Sequence, residues 1–314
     1  MAVHSAKAYH SWRFRVKLRI RGGPRTLSDM TEERIIRSFD GTPLYVRSVG
    51  TGPALIFCDG LGCDGYIWKY LHPLLAERYR LVYWHYRGHG RSGAPVHPYA
   101  LGLGALRSDL VAVMDGLRIP RATMFGHSMG VQLLLDLALF EPKRVQALVL
   151  LCGGPGRPLD TLHGSAALGR VFPYMRALAL KWPNMTQKMW NAVLSSELCF
   201  QWATKFEVNG ELVRRQDLQP YFDHLCGMDV RHFVHMVTHL QAHTVVPRLS
   251  QVRSPALIVA GERDTLTPLS LSEIMQQRMP QAQLLVVPKG SHVAPIELPD
   301  LVNEHILRFL TAHH

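Results

Sequence analysis

The pentapeptide Gly126-His127-Ser128-Met129-Gly130 sets a serine hydroxyl between two glycines, and Asp264 and His292 follow it in chain order. Serine, carboxylate and imidazole are the residue types that nucleophilic attack on a carbonyl carbon requires. A neutral serine hydroxyl is a poor nucleophile. A histidine must take its proton during attack and later return one to the leaving group. A carboxylate must fix the imidazole tautomer and stabilise the imidazolium that forms. Attack also builds negative charge on oxygen, which needs donors already in place. The backbone N–H of Met129, just after the serine, is one candidate. The N–H of Leu61, within Asp59-Gly60-Leu61-Gly62, is the other.

These groups can meet only if the chain brings them to one edge of one sheet. A compact apolar run, Ala122 to Phe125, precedes the pentapeptide, and a helix-like run from Val131 to Phe140 follows it. Strand, tight turn and helix in that order project a serine side chain away from the backbone. Further near-continuous apolar runs, Ala54 to Cys58, Arg80 to Trp84, Val145 to Leu151, Ala256 to Ala260 and Gln283 to Val287, read as strands covered on both faces. Helical patterns separate them over Trp68–Arg78, Leu103–Leu117, Leu269–Met279 and Leu298–Leu310. Arg34 to Phe39, the turn Asp40-Gly41 and Leu44 to Val49 read as a hairpin.

This alternation predicts an α/β fold with a mostly parallel central sheet flanked by helices. Asp264 falls four residues past one strand and His292 five past the next, on the same C-terminal edge as Ser128. The rhythm breaks between residues 155 and 247, where helix-like segments such as Phe172–Trp182 and Val230–Leu240 replace strands. We therefore expect a basic extension over 1–30, a core from 31–154 and 248–314, and an inserted helical cap over 155–247. The cap's apolar residues, Phe172, Trp190 and Phe200 together with Tyr174, Met175, Trp182, Met185 and Trp202, suit a small-molecule substrate with an apolar portion.

Rival assignments are weaker. Glu262 lies closer to its strand than Asp264, and His305 sits inside the last helical pattern. His127 and His89 read as loop-packing residues, and Arg87 and Arg91 as loop anchors. His232, His235 and His239 have helical i+3 and i+4 spacing, but no HExxH pattern accompanies them, so no metal is expected. No GxGxxG follows the first parallel strand, and no cofactor is expected.

The net charge of +11 raises nucleic acid as a partner. Residues 1–30 hold seven Lys or Arg against one Asp, however, which leaves the remaining 284 residues only mildly basic. No nucleic-acid partner is expected. Trp12 to Arg21 alternates apolar and cationic residues. It reads as an extra edge strand or extension, with contact to an anionic surface as its second reading. No apolar run reaches the length of a transmembrane span, and the basic start lacks the apolar core of a signal peptide. Five widely spaced cysteines indicate neither a disulfide scaffold nor a thiolate zinc site. Together these features lead us to expect a cytoplasmic protein.

Over roughly residues 32–311 the sequence resembles the α/β-hydrolase superfamily. The matching segments are Asp59-Gly60-Leu61-Gly62, Tyr86-Arg87-Gly88-His89-Gly90-Arg91-Ser92, the Ser128 pentapeptide, Gly261-Glu262-Arg263-Asp264 and Gly290-Ser291-His292. The resemblance implies a catalytic triad of Ser128, Asp264 and His292. It implies a serine hydrolase acting on an ester or lactone through an acyl-enzyme. A C–C bond hydrolase, a perhydrolase and a non-catalytic binding protein on the same fold are the alternatives. Ser128 argues against the branches that use an aspartate nucleophile. Two positions depart from the family pattern: Asp59 replaces a common histidine, and His85 a common aspartate. Asp59 is expected to bring a carboxylate near the oxyanion site.

Overall fold

Apolar runs pair into one eight-stranded sheet in the computed structural model, which describes residues 31–97 and 100–313. The extension over 1–30, including the alternating stretch 12–21, lies outside the described residues. β1 (Thr31–Arg37) and β2 (Pro43–Val49) form the expected hairpin, and β2 runs antiparallel to β4 (Arg80–Trp84). β3 (Ala54–Cys58), β5 (Ala122–His127), β6 (Val145–Leu151), β7 (Ala256–Gly261) and β8 (Ala282–Val287) complete the sheet. The order is β1-β2-β4-β3-β5-β6-β7-β8, parallel from β4 onward.

Side chains alternate across this sheet and feed two cores. On one face Ile56, Met124, Leu148 and Ile258 pack with residues of α2 (Leu103–Gly116), α3 (Met129–Phe140) and α9 (Leu269–Arg278). On the other, Phe57, Phe125, Val149 and Val259 pack with Trp68 and with Ile306 and Phe309 of the last helix, Pro299–His313. β5 and β7 are buried along their whole length, which is why they read as unbroken apolar runs. β1 is a solvent-facing edge carrying Glu32, Glu33, Arg34 and Arg37, charges that discourage edge-to-edge pairing.

One expected helix does not form. Over Trp68–Arg78 there is a 3-10 turn, Tyr66–Trp68, and then a single helical turn, α1 (His72–Leu75). Pro73 explains the break: without an N–H it can open a helix but not continue one from Trp68. Between β6 and β7 the chain forms α4 (Ala167–Lys181), α5 (Pro183–Leu194), α6 (Glu197–Phe206), α7 (Arg215–Gly227) and α8 (Val230–Ala242). After β8 come the short α10 (Ala294–Glu297) and the last helix, α11. Among the described residues no helix is long and apolar enough to cross a membrane. All five cysteines are free thiols.

Candidate active site

β5 delivers Ser128 at the point where the strand ends and α3 begins. Its backbone is strained, with φ 53° and ψ −115°, a region that side-chain-bearing residues avoid. Such a conformation costs on the order of 1–3 kcal/mol and persists only where its surroundings enforce it. Here the Ser128 N–H donates to Leu151 O on β6 at 3.1 Å, and the Val131 N–H donates to Ser128 O at 3.0 Å. The flanking Gly130 is required by close approach. A Cβ there would stand 2.1 Å from the carbonyl oxygen of Cys58 on β3.

Asp264 follows β7 and His292 follows β8, and the two meet. His292 Nδ1 is 3.0 Å from Asp264 Oδ2 and 3.2 Å from Oδ1. A carboxylate facing Nδ1 selects the tautomer that carries its proton there, which leaves Nε2 with a free lone pair. Asp264 is itself anchored: Leu266 N–H and Thr267 N–H donate to Oδ1 at 2.9 and 2.8 Å, and the Thr267 hydroxyl donates to Oδ2 at 2.7 Å. Burial opposes its charge. The His292 ring and the Thr267 donors outweigh that and hold the carboxyl below its ordinary range.

The His292 loop is fixed from two further sides. His127 Nε2–H donates to the His292 carbonyl at 3.0 Å, with ring centroids 5.0 Å apart. Glu297 of α10 accepts from the Ser291 N–H and hydroxyl, each at 2.6 Å. Burial, reinforced by the neighbouring His292, pushes the His127 imidazole down to about 3, so it stays neutral and serves as a strut. Among the described residues, Ser128 Oγ makes no hydrogen bond to His292. Nucleophile–base contacts are often loose before substrate arrives.

The loop after β3 lies against the Ser128 turn. A Cβ on Gly60 would be 3.2 Å from Ser128 Cβ and 3.1 Å from His127 Nδ1. The loop is pinned by Cys63 N–H to Gly60 O at 3.1 Å and by Gly62 N–H to His89 Nε2 at 3.5 Å. Neither the Leu61 nor the Met129 N–H donates to another group among the described residues. Asp59 does not supply the carboxylate expected at the oxyanion site. Its oxygens accept from the Trp68 indole at 2.5 Å and from Gly65 N–H at 2.9 Å. Burial pushes this carboxyl up to about 6 despite the Trp68 donor. His85, the other departure, accepts from Arg91 N–H at 2.8 Å and donates through Nε2 to Asp64 at 2.7 Å.

The rival residues lie elsewhere. Glu262 accepts from Lys289 N–H at 2.7 Å on the surface, and His305 donates to Leu301 O at 2.9 Å within α11. His89 packs the loop, its Nδ1 facing Arg87 O at 3.2 Å. Arg87 is fully buried and forks onto Asp109 at 2.5 and 2.6 Å, while Arg91 reaches Glu33 at 2.8 Å. Two histidines of α8 pack against the core: His232 lies under Gly88 and His239 under Gly102. Among the described residues no three metal-ligand side chains are grouped to hold an ion. A groove of about 560 Å³ between β1 and α2, lined by Ile36, Phe39 and Arg107, contains none of the candidate residues.

The helical insertion reaches this site through α7. A Cβ on Gly62 would fall 2.2 Å from Cδ2 of Leu225. Phe172, Trp190 and Phe200 are turned inward, Trp190 against Phe233 and Phe200 against Phe222. Tyr174, Met175, Trp182, Met185 and Trp202 are exposed instead. Sequence reasoning did not find Thr267, Glu297 or the Trp68–Asp59 contact. Only Thr267 had a local signal, a hydroxyl three residues after the candidate acid.

A family model described as alpha/beta hydrolase fold matches residues 53–299. The chain is 25% identical over 256 residues to 3-oxoadipate enol-lactonase 2 of Acinetobacter baylyi, covering 81% of this chain and 87% of that one. It is 30% identical over 269 residues to the dihydrolipoyllysine-residue acetyltransferase component of the acetoin cleaving system of Pseudomonas putida. That match covers 83% of this chain and 64% of the longer relative. The solved enol-lactonase of Burkholderia xenovorans LB400 superposes with a TM-score of 0.72 at 22% identity, over 88% of this chain and all of that one. With the strand order, the strained serine turn and a family match that spans most of its length, the chain belongs to the α/β-hydrolase fold family.

Proposed function

We propose that the protein is a serine hydrolase that cleaves a carboxylic ester or lactone through an acyl-enzyme. The observation that carries this reading is the 3.0 Å contact between His292 Nδ1 and a buried, multiply anchored Asp264, on the sheet edge where Ser128 is held in strain. In this mechanism Ser128 Oγ attacks the carbonyl carbon as His292 Nε2 takes its proton. Asp264 stays ionised and stabilises the imidazolium. The Leu61 and Met129 N–H groups receive the developing oxyanion. His292 then protonates the leaving alkoxide, and the same ring activates water to release the acid. No cofactor or metal enters any of these steps.

The helical insertion is proposed as the cap over the substrate, with Leu225 as the side chain that touches the oxyanion loop. Ester and lactone substrates rank first because both meet a serine nucleophile with an activated carbonyl. The name of the Acinetobacter relative, an enol-lactonase, supports the lactone branch. The test is a rate panel of p-nitrophenyl esters of rising acyl length together with simple lactones, run beside Ser128→Ala. Turnover that falls by about 10⁴-fold or more in the variant is the expected result. Equal turnover in both proteins would overturn the serine mechanism. A fluorophosphonate-reactive protein that turns over none of the panel would move the bond to a C–C, peracid or acyl-transfer substrate.

A further inference from the structure

Exposed large apolar side chains are unevenly spread over the described surface. Twelve of the eighteen lie between Val171 and Leu212, so the helical insertion is the anomalous region and the core is ordinary. Their spacing is regular. On α4 they include Tyr174 and Leu178, continued by Trp182 at the residue that ends the helix. On α5 they are Met185, Met189 and Val193. On α6 they are Leu198, Trp202 and Phe206. Each set follows i, i+4, i+8, one stripe along a helix.

These stripes are additional to the ones that hold the insertion together. Phe172, Ala179 and Leu180 of α4 pack toward α8, Trp190 of α5 packs on Phe233, and Phe200 of α6 packs on Phe222. Each helix is therefore apolar on its packed side and again on its watered side. A water-facing stripe of Trp, Tyr, Met and Leu has no role in the folding of a monomer.

The charges around the stripes point to what covers them. From 167 to 206 there are five Lys or Arg and one acid, Glu197, which is already paired with Arg215 at 2.6 Å. Arg170, Lys181, Lys188 and Lys205 are exposed. Two of them lie over exposed rings: Lys181 Nζ is 4.7 Å from the Trp182 ring centroid and Lys205 Nζ is 5.3 Å from that of Phe206. Aromatic and aliphatic stripes flanked by cations match the interface of an anionic bilayer, where rings enter the headgroup layer and ammonium groups meet phosphate. A symmetric contact with a second copy would set the same cations against themselves.

We infer that the outer face of α4, α5 and α6 docks on an anionic lipid surface. This inference is independent of the ester assignment, because it concerns the outside of the insertion. The test is co-sedimentation of the full chain with vesicles of phosphatidylcholine alone and of phosphatidylcholine with phosphatidylserine, at low and high salt. The comparison uses Trp182→Ser/Trp202→Ser, Lys181→Glu/Lys188→Glu, and Leu74→Ser as a control on the core. All these side chains are surface-exposed, and matched thermal melts verify folding.

The inference predicts binding to the anionic vesicles that weakens with salt, falls at least tenfold in each double variant and is unchanged in Leu74→Ser. About fivefold per lysine is the scale for a cation at such a surface. Binding that survives both double variants would assign it to another part of the chain and overturn the inference, as would no binding at all. A dimer in solution that dissociates with the Trp182/Trp202 substitutions would also overturn it, by making the face a contact between copies.

Discussion

Asp264 is the residue whose surroundings say most about the proposed chemistry. Its carboxylate accepts from two backbone N–H groups and a hydroxyl and faces the His292 ring. Asp264→Asn keeps the shape but removes the charge that selects the His292 tautomer, and kcat for a responsive ester is expected to fall by about 10⁴-fold with little change in KM. Thr267→Val removes one donor from Oδ2. It should lower kcat by about tenfold and move the acid limb of the pH–rate profile, whereas a purely structural threonine would change stability and leave the profile in place. Ser128, Asp264 and His292 were legible because few residue types do this chemistry and each follows its own strand. Thr267 and Glu297 were not, since any hydroxyl or carboxylate near a loop looks alike until distances separate them. Asp59 was legible as a departure but not in its direction: Trp68 and Gly65, six to nine residues on, take up the carboxylate.

At the scale of elements, the central strands β3, β5, β6 and β7 were legible to within two residues because burial on both faces leaves little room for charged side chains, whereas the exposed edge strand β1 begins at Thr31, three residues before the expected Arg34. The region Trp68–Arg78 was misread because its apolar residues mimic a helical period while Pro73 forbids one. The contacts between elements carry two predictions. Gly130→Ala would drive a methyl to 2.1 Å from the backbone oxygen of Cys58, which cannot move aside. We expect the clash to outweigh the ~1 kcal/mol that an unstrained Gly→Ala change gains within a helix and to destabilise the fold by about 3 kcal/mol or more, read as a shift in denaturant midpoint. Gly60→Ala meets contacts of 3.0 to 3.2 Å, all with side-chain atoms, so it should remain folded and lose activity through displacement of the Leu61 N–H. The same panel of esters should show Leu225→Ala accepting longer acyl chains than the parent, since Leu225 is the side chain of α7 pressed against that loop.

For the whole molecule, the neutral histidines buried within it set an acid limit. Burial, aided by neighbouring imidazoles, pushes His89 and His127 down to about 3, whereas an unfolded histidine titrates near 6.5. Between these values the unfolded chain holds protons the folded chain refuses. Their contribution is therefore complete above about pH 6.5 and is lost as pH falls toward 3, with a slope of about 1.4 kcal/mol per pH unit for each ring. Asp59 acts in the opposite sense: its folded value of about 6 favours the folded state as pH falls through that point. The net prediction is a urea midpoint that is flat near neutrality, declines below about pH 6.5 and declines less steeply below about 6. A midpoint independent of pH across this range would mean that these rings are solvated. The insertion's outer stripes were the least legible feature at this scale, because helices with apolar residues on two sides do not reveal from sequence which side meets water.

The central claim is that Ser128 is a nucleophile activated by His292. The most direct measurement is peptide-mapped mass spectrometry of the full chain after brief exposure to a fluorophosphonate, with His292→Gln treated in parallel. A single adduct on Ser128, formed at least a hundredfold more slowly in the variant, is the predicted result. A folded protein that carries no adduct at Ser128, or that labels equally fast without the imidazole, would contradict it.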